Sequence, residues 1–191
     1  DFPDNPLVAE LPAFNEITAE IYKKLEDAGR NLLKAIALYL ELEEDYFEKF
    51  VINGNSILRA IHYFPIEDPD SVSPDAVRAG AHEDINLITL LIGASADGLE
   101  VMTKDGEWFP IKANGEDIVV NVGDMLQRLT NNKLKSTTHR VVNPPRELMK
   151  TSRYSVPFFL HPKSSMSLAC LDSCISEQYP KAFPDYTAGQ Y

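Results

Sequence analysis

The chain has 191 residues, of which 44% are apolar and 25% are charged, as in a globular protein of about one domain. With 18 basic against 29 acidic residues, its formal net charge is −11, which argues against nucleic acid or an anionic membrane as the main partner. No apolar run is long enough to span a membrane. Cys170 and Cys174 are expected to be reduced thiols, and without a signal-peptide pattern we expect a cytoplasmic protein. Because the chain begins at Asp1, we expect it to be part of a longer polypeptide.

Residues 1–55 are predicted to form a helical lead-in. Apolar residues recur there at spacings of three and four, which predicts one amphipathic helix with a single buried stripe. The members of that stripe are Ile17, Ile21, Leu25, Ala28, Leu32 and Ile36. A second short helix is predicted over residues 43–50, before Asn53 and Gly54 end the helical pattern.

From residue 56 the pattern changes to short apolar or β-branched runs, separated by turn signals such as Asp97-Gly98 and Asn114-Gly115. Strands are predicted over residues 57–64, 86–92, 99–102, 108–112, 118–121, 125–129, 137–142 and 153–160. Many short strands with regular turns are typical of a sandwich, jelly roll or barrel. Residues 162–191 show no period. We therefore expect one domain, with a helical lead-in, a β core over residues 56–161 and an irregular C-terminal tail.

Two histidines and an aspartate form the first candidate site. His82 and Asp84 lie two residues apart at the start of a predicted strand, so their side chains are expected on one face. His139, on another predicted strand, can supply a third ligand. Two histidines and one carboxylate form the facial triad of non-haem iron(II) oxygenases, which leaves three positions of the metal open. A zinc hydrolase also uses two histidines and a carboxylate, so the triad alone leaves the reaction open.

A second candidate site lies on the last predicted strand, where Arg153 and Ser155 share a face. A guanidinium beside a hydroxyl makes a good receptor for a carboxylate, because the guanidinium donates two parallel charge-assisted hydrogen bonds. An inward arginine is costly when it has no partner, so it implies an anionic guest or an acidic neighbour. For this motif in isolation, an exposed arginine paired with one of the many acids is the alternative.

Together and in this order, the two motifs resemble those of the 2-oxoglutarate- and iron(II)-dependent oxygenases, in the branch that includes isopenicillin N synthase and the plant flavonoid oxygenases. The resemblance extends from about residue 56 to the end of the chain. The stretches that carry it are His82-Glu83-Asp84, residues 120–124, Thr130-Asn131, residues 136–141 and residues 153–159. It implies a mainly β fold, the double-stranded β-helix or jelly roll, with a long N-terminal supporting helix.

The resemblance implies that His82, Asp84 and His139 bind Fe(II), and that Arg153 and Ser155 bind the distal carboxylate of 2-oxoglutarate. With O2, such an enzyme oxidises a small organic substrate and converts 2-oxoglutarate to succinate and CO2. Three open metal positions match a bidentate cosubstrate plus O2. The oligomeric state is left open by the sequence.

The sequence departs from the family where relatives often carry Asn-Tyr-Tyr-Pro, since residues 61–65 read Ile-His-Tyr-Phe-Pro. Phe64 has no hydroxyl, so one hydrogen bond to 2-oxoglutarate is expected to be missing, with His62 as a partial substitute. An oxidase of the same fold that does not use 2-oxoglutarate therefore stays an alternative, as does a non-catalytic β-barrel binding module. Either Phe158 or Phe159 can face a substrate, since side chains alternate along a strand, and Phe159 is our candidate.

Overall fold

The structure is a computed structural model that describes residues 5–73, 75–93, 97–113 and 115–191. Within these ranges the chain forms three α-helices, α1 (Pro12–Tyr39), α2 (Glu48–Val51) and α3 (Asp124–Leu129). Its nine strands are β1 (Ile57–Leu58), β2 (Ile61–Tyr63), β3 (Ala79–His82), β4 (Ile88–Ile92), β5 (Leu99–Met102), β6 (Trp108–Pro110), β7 (Ile118–Val122), β8 (His139–Val141) and β9 (Arg153–Leu160). Asn114, in the predicted Asn114-Gly115 turn, lies outside the described residues.

The strands form two antiparallel sheets that face each other across a cavity. The larger sheet has the strand order β1-β9-β4-β7, and β2 also pairs with β9. The smaller sheet has the order β3-β8-β5-β6. Side chains from both sheets line the cavity between them. This is the double-stranded β-helix, or jelly roll, and the predicted mainly β fold class is confirmed.

Helix α1 supports the larger sheet, as predicted, but its buried face is rotated from the predicted stripe. The residues that it buries are Leu25, Gly29, Leu33 and Ala37. Ile17 and Leu32, predicted to be buried, are 53% and 37% exposed, because the pattern could not show which flank of a broad apolar face meets the sheet. At Gly29, a Cβ would lie 2.4 Å from Leu160 Cδ1, so a glycine permits this close approach of helix and sheet.

The strand predicted over residues 125–129 is wrong, because the structure has helix α3 there. Met125, Leu126 and Leu129 are buried, and their spacing places them on one helical face. An apolar run this short does not distinguish a helix from a strand by its period alone. Asp124 lies in the first turn of α3, where the helix dipole favours an acidic side chain.

Other elements also differ from their predicted bounds. Residues 79–81 of β3 lie outside every predicted strand, because these small residues give no apolar alternation. The strand predicted over residues 57–64 is two short strands, β1 and β2, which both pair with β9. Of the helix predicted over residues 43–50, only α2 is helical, and turns precede it. No helix in the described part of the chain is both long and apolar enough to cross a membrane.

The C-terminal tail packs against α3 through Arg128. The guanidinium carbon of Arg128 lies 4.9, 5.2 and 4.7 Å from the ring centres of Phe183, Tyr186 and Tyr191. Its Nη2 also donates to the carbonyl of Pro184 at 3.1 Å. Cation–π contacts of this kind are attractive and strengthen when the cation is desolvated. Arg128 is buried, so these contacts hold the tail firmly against the core.

Candidate active site

The three predicted metal ligands converge at one place in the cavity. Nε2 of His139 lies 3.7 Å, and Nε2 of His82 lies 3.9 Å, from Oδ1 of Asp84. One ligand atom from each of the three residues lies within 4.8 Å of the others. His82 and His139 are paired across β3 and β8, with ring centres 4.3 Å apart. Ligand atoms at these separations can share one ion after small side-chain movements.

Asp84 lies on a different structural element from the one that the sequence predicted. The prediction placed His82 and Asp84 on one strand, but β3 ends at His82 and Asp84 lies in the turn before β4. The N-terminus of α3 holds that turn, because the N–H of Asp124 donates to the carbonyl of Asp84 at 2.7 Å. Gly123 makes the approach possible, since a Cβ there would lie 2.3 Å from the carbonyl oxygen of Asn86.

Backbone carbonyls orient both imidazoles. Nδ1 of His82 lies 2.7 Å from the carbonyl oxygen of Gly80, and Nδ1 of His139 lies 2.9 Å from that of Thr137. A carbonyl oxygen only accepts hydrogen bonds, so each Nδ1 carries the proton and donates it. In the neutral imidazole, this arrangement leaves the lone pair of each Nε2 facing Asp84, which is the form of histidine that binds metals.

Two further side chains orient the carboxylate of Asp84. Thr89 Oγ1 donates to Oδ2 of Asp84 at 2.6 Å, and Asn121 Nδ2 donates to the same oxygen at 2.9 Å. Asn86 Nδ2 in turn donates to Thr89 Oγ1 at 2.8 Å. With Oδ2 held in this way, Oδ1 is the oxygen that faces both histidines. None of these supporting residues was predicted, although a polar residue within an apolar strand indicates a buried hydrogen bond.

This set of donor atoms fits a divalent metal ion. The two Nε2 atoms and Oδ1 of Asp84 all present lone pairs to one another, and the protons of both imidazoles are used on the far sides of the rings. Lone pairs brought together in this way repel each other unless a cation lies between them. Two imidazoles and one carboxylate are the donor set of Fe(II) in the facial triad.

Arg153 and Ser155 lie in the same cavity as the three candidate ligands. Side chains alternate along β9, so Arg153, Ser155, Pro157 and Phe159 all face inward. The Arg153 side chain is only 2% exposed, and Ser155 is also buried. Burial lowers the pKa of the Arg153 guanidinium, and its contact with Tyr63 opposes that effect. An arginine remains charged at neutral pH, so a buried cation lies in this part of the cavity.

Tyr63, rather than Phe64, faces Arg153. The two residues are paired across β2 and β9, and the Arg153 guanidinium carbon lies 5.0 Å from the centre of the Tyr63 ring. Phe64 is 72% exposed, so its missing hydroxyl removes nothing from the cavity. His62 lies on the outer face of β2 and stacks on Tyr154, with ring centres 4.6 Å apart. Strand alternation therefore turns His62 away from the cavity, and this position gives no support to its expected contact with the cosubstrate.

Phe159 faces the cavity at the level of the candidate metal ligands. It is paired with Thr89, which holds Asp84, whereas Phe158 faces the core on the other side of the sheet and contacts Tyr22. The guanidinium of Arg59, another residue that was not predicted, lies 4.8 Å from the centre of the Phe159 ring. The whole cavity has a volume of about 150 Å³.

A jelly roll with two histidines, a carboxylate and a buried arginine in one cavity defines a non-haem iron oxygenase architecture with a receptor for a carboxylate. The family model described as the 2OG-Fe(II) oxygenase superfamily matches residues 54–162. The chain belongs to this superfamily, and the family resemblance of the sequence is confirmed.

The alignments with two relatives cover nearly the whole of this chain. The proline hydroxylase buaE of Petromyces alliaceus is 35% identical over 189 residues, covering 95% of this chain and 59% of that protein. The 2-oxoglutarate-Fe(II) type oxidoreductase ppzD of Metarhizium majus is 33% identical over 186 residues, covering 95% of this chain and 53% of that protein. The chain thus spans between about half and three fifths of the length of these two relatives.

Solved structures of similar proteins show the same fold. A 2OG-Fe(II) oxygenase family protein from Caulobacter crescentus is 49% identical, with a TM-score of 0.88 over 97% of this chain and 59% of that one. A full-length Neurospora crassa protein, solved in complex with alpha-KG, is 29% identical, with a TM-score of 0.87 over 99% of this chain and 60% of that one.

Proposed function

We propose that the chain carries the catalytic core of an Fe(II)- and 2-oxoglutarate-dependent oxygenase, which oxidises a small organic substrate and releases succinate and CO2. The observation that carries the proposal is the convergence of three lone-pair donors, from His82, Asp84 and His139, in one cavity with the buried Arg153 and Ser155. The alternative oxidase that does not use 2-oxoglutarate rested on Phe64, which lies outside the cavity and no longer supports it.

In this proposal His82, Asp84 and His139 bind Fe(II), and Arg153 with Ser155 binds the distal carboxylate of 2-oxoglutarate. When bound, Fe(II) and 2-oxoglutarate would together activate O2, which is the oxidant, for attack on a C–H bond of the substrate. The Arg153 guanidinium donates two parallel hydrogen bonds to a carboxylate and the Ser155 hydroxyl donates a third, which orients the cosubstrate along the cavity.

The remaining residues position these groups and exclude water. Thr89 and Asn121 hold Asp84 so that one defined oxygen faces the metal position. Apolar side chains from both sheets form the cavity wall, which keeps bulk water from the reacting groups. They include Leu91, Leu99, Val101, Val119 and Val141. Phe159 lies at the level of the metal ligands, where we propose that it packs against the substrate.

Anaerobic titration tests the proposal. Adding 2-oxoglutarate to the Fe(II)-loaded chain should produce a visible metal-to-ligand charge-transfer band, and admitting O2 should then yield succinate. Asp84→Ala and His139→Ala should fold yet form no succinate. Arg153→Gln should weaken 2-oxoglutarate binding about 10–100-fold, the value of a hydrogen-bonded charge.

Arg146→Gln is a matched control, because it removes an exposed guanidinium that pairs with Asp70 outside the cavity. Its 2-oxoglutarate affinity should equal that of the unaltered chain. Hydrolytic activity with bound zinc, or no charge-transfer band at any 2-oxoglutarate concentration, would contradict the proposal.

We also propose that the chain is one domain, in which residues 1–55 and 162–191 support the core of residues 56–161. The contacts of α1 with β4 and β9, and of the tail with α3, support this division. A cytoplasmic location is supported by the free thiols of Cys170 and Cys174. The net charge of −11 supports a small molecule, rather than nucleic acid or a membrane, as the main partner.

A further inference from the structure

Arg59 places a second guanidinium at the cavity. Its backbone N–H donates to the carbonyl of Pro157 at 3.0 Å, and its side chain is exposed at the mouth of the cavity. Across residues 5–73, 75–93, 97–113 and 115–191, its side chain forms no ion pair and no hydrogen bond. The guanidinium lies face-on to Phe159, with its central carbon 4.8 Å from the ring centre.

The strand register separates Arg59 from the proposed cosubstrate pocket. Phe159 is paired with Thr89, and Thr89 holds the candidate metal ligand Asp84, so Phe159 marks the metal end of the cavity. Arg153 lies six residues before Phe159 on β9, so the two side chains enter the cavity at different levels of the strand. Because the Arg59 guanidinium lies over the Phe159 ring, its positive charge lies near the metal end of the cavity.

The charges of the metal, the cosubstrate, Asp84 and Arg153 cancel one another without Arg59. Fe(II) brings two positive charges and dianionic 2-oxoglutarate two negative ones, while Asp84 and Arg153 contribute one of each sign. The neutral histidines add none. Arg59 therefore adds a positive charge at the cavity that these four groups do not balance. Water at the cavity mouth solvates this charge until a substrate displaces it, and a desolvated charge is costly unless an opposite charge meets it.

We propose that Arg59 binds an anionic group, such as a carboxylate, on the primary substrate, while Phe159 packs against an adjoining planar or apolar part. The substrate class is then a small monoanionic organic acid. This inference rests on the proposed function and deepens it, because it concerns the substrate end of the same site. In a chain with a net charge of −11, long-range attraction does not favour such a substrate, so a local cation has to bind it.

Two probes of nearly the same shape test the inference, phenylacetate and its neutral amide, phenylacetamide. Each is titrated by calorimetry, without O2, into the chain loaded with Fe(II) and 2-oxoglutarate. Phenylacetate should bind about tenfold more tightly than phenylacetamide, as expected for a charge-assisted bond at a partly exposed site. Arg59→Gln should abolish the preference, and Arg59→Lys should retain part of it.

Charge reversal sharpens the test, because Arg59→Glu should bind phenethylamine more tightly than phenylacetate. Arg146→Gln, with the same loss of charge outside the cavity, should keep the preference of the unaltered chain. Failure of phenylacetate to bind, equal affinities of the two probes, or a preference that survives in Arg59→Gln would each overturn the inference.

The 2-oxoglutarate titration separates this inference from the proposed function. An equal loss of 2-oxoglutarate and phenylacetate affinity in Arg59→Gln would overturn the inference, because Arg59 would then be a cosubstrate ligand. If the unaltered chain shows no charge-transfer band but keeps an Arg59-dependent preference for phenylacetate, the proposed function fails and the anion site stands.

Discussion

Replacing Thr89 with valine tests whether the carboxylate of Asp84 is held ready for a metal. Valine has nearly the shape of threonine, so the change removes mainly the hydroxyl that donates to Oδ2 of Asp84 at 2.6 Å. Thr89 is only 3% exposed, so water cannot readily replace that bond. A hydrogen bond to a charged group contributes about 1.5–3 kcal/mol, and losing such a support lowers metal affinity about 10–100-fold. These magnitudes agree, because about 1.4 kcal/mol corresponds to a factor of ten.

Mn(II) binding, followed by the EPR signal of the free ion, measures this loss without turnover. Thr89→Ser keeps a hydroxyl and should retain most of the affinity. Thr18→Val is the matched control, since its hydroxyl donates to the Phe14 carbonyl on α1, away from the cavity. If Thr89→Val binds Mn(II) as tightly as the unaltered chain, the hydrogen bond does not prepare the carboxylate and the reasoning is refuted.

Three other changes test the supports of the site and the core. Gly123→Ala should weaken Mn(II) binding and lower the free energy of unfolding by about 1–3 kcal/mol, because the new Cβ would meet Asn86; unchanged values would show that α3 does not hold the Asp84 turn. Burial lowers the pKa of His161 below its value in the unfolded chain. Below pH about 6.5 the unfolded chain therefore binds a proton more readily than the native chain does, and the free energy of unfolding decreases as the pH is lowered. Urea midpoints at pH 7.5 and 5.5 should therefore differ less in His161→Gln than in the unaltered chain, and equal differences would contradict this cause. Arg128→Leu should lower the free energy of unfolding by about 2–4 kcal/mol and expose the tail to proteolysis, because it removes three cation–π contacts. An unchanged free energy of unfolding would show that these contacts contribute little.

The sequence predicts the candidate ligand residues of the site better than it predicts the residues that hold them in place. His82, Asp84, His139, Arg153 and Ser155 were chosen because of their residue types and spacing, and the structure brings all five to one cavity. The bonds that hold them come from residues that are distant in sequence and close only after folding. A single polar residue within an apolar strand predicts that a hydrogen bond is made, but not with which partner.

The errors in the predicted fold come from two kinds of ambiguity. Residues 125–129 are apolar over too short a run to distinguish α3 from a strand. The strand predicted over residues 57–64 was correct in type, but its register was not defined. A shift of one residue exchanges the two faces of a strand, so the register decides whether Tyr63 or Phe64 faces the cavity. Only the pairing of Tyr63 with Arg153 resolves that choice.

That pairing also explains why the carboxylate receptor is prepared before its ligand arrives. The Tyr63 ring contacts two guanidiniums, with the central carbon of Arg153 at 5.0 Å and that of Arg78 at 5.8 Å from the ring centre. The ring restrains the Arg153 side chain, so little conformational entropy is left to lose when a carboxylate binds. The charge of Arg78 repels that of Arg153 and helps to lower the pKa of its guanidinium, although burial is the larger cause. A bound anion relieves this repulsion, so the arrangement favours the proposed dianionic cosubstrate over any neutral molecule of the same size.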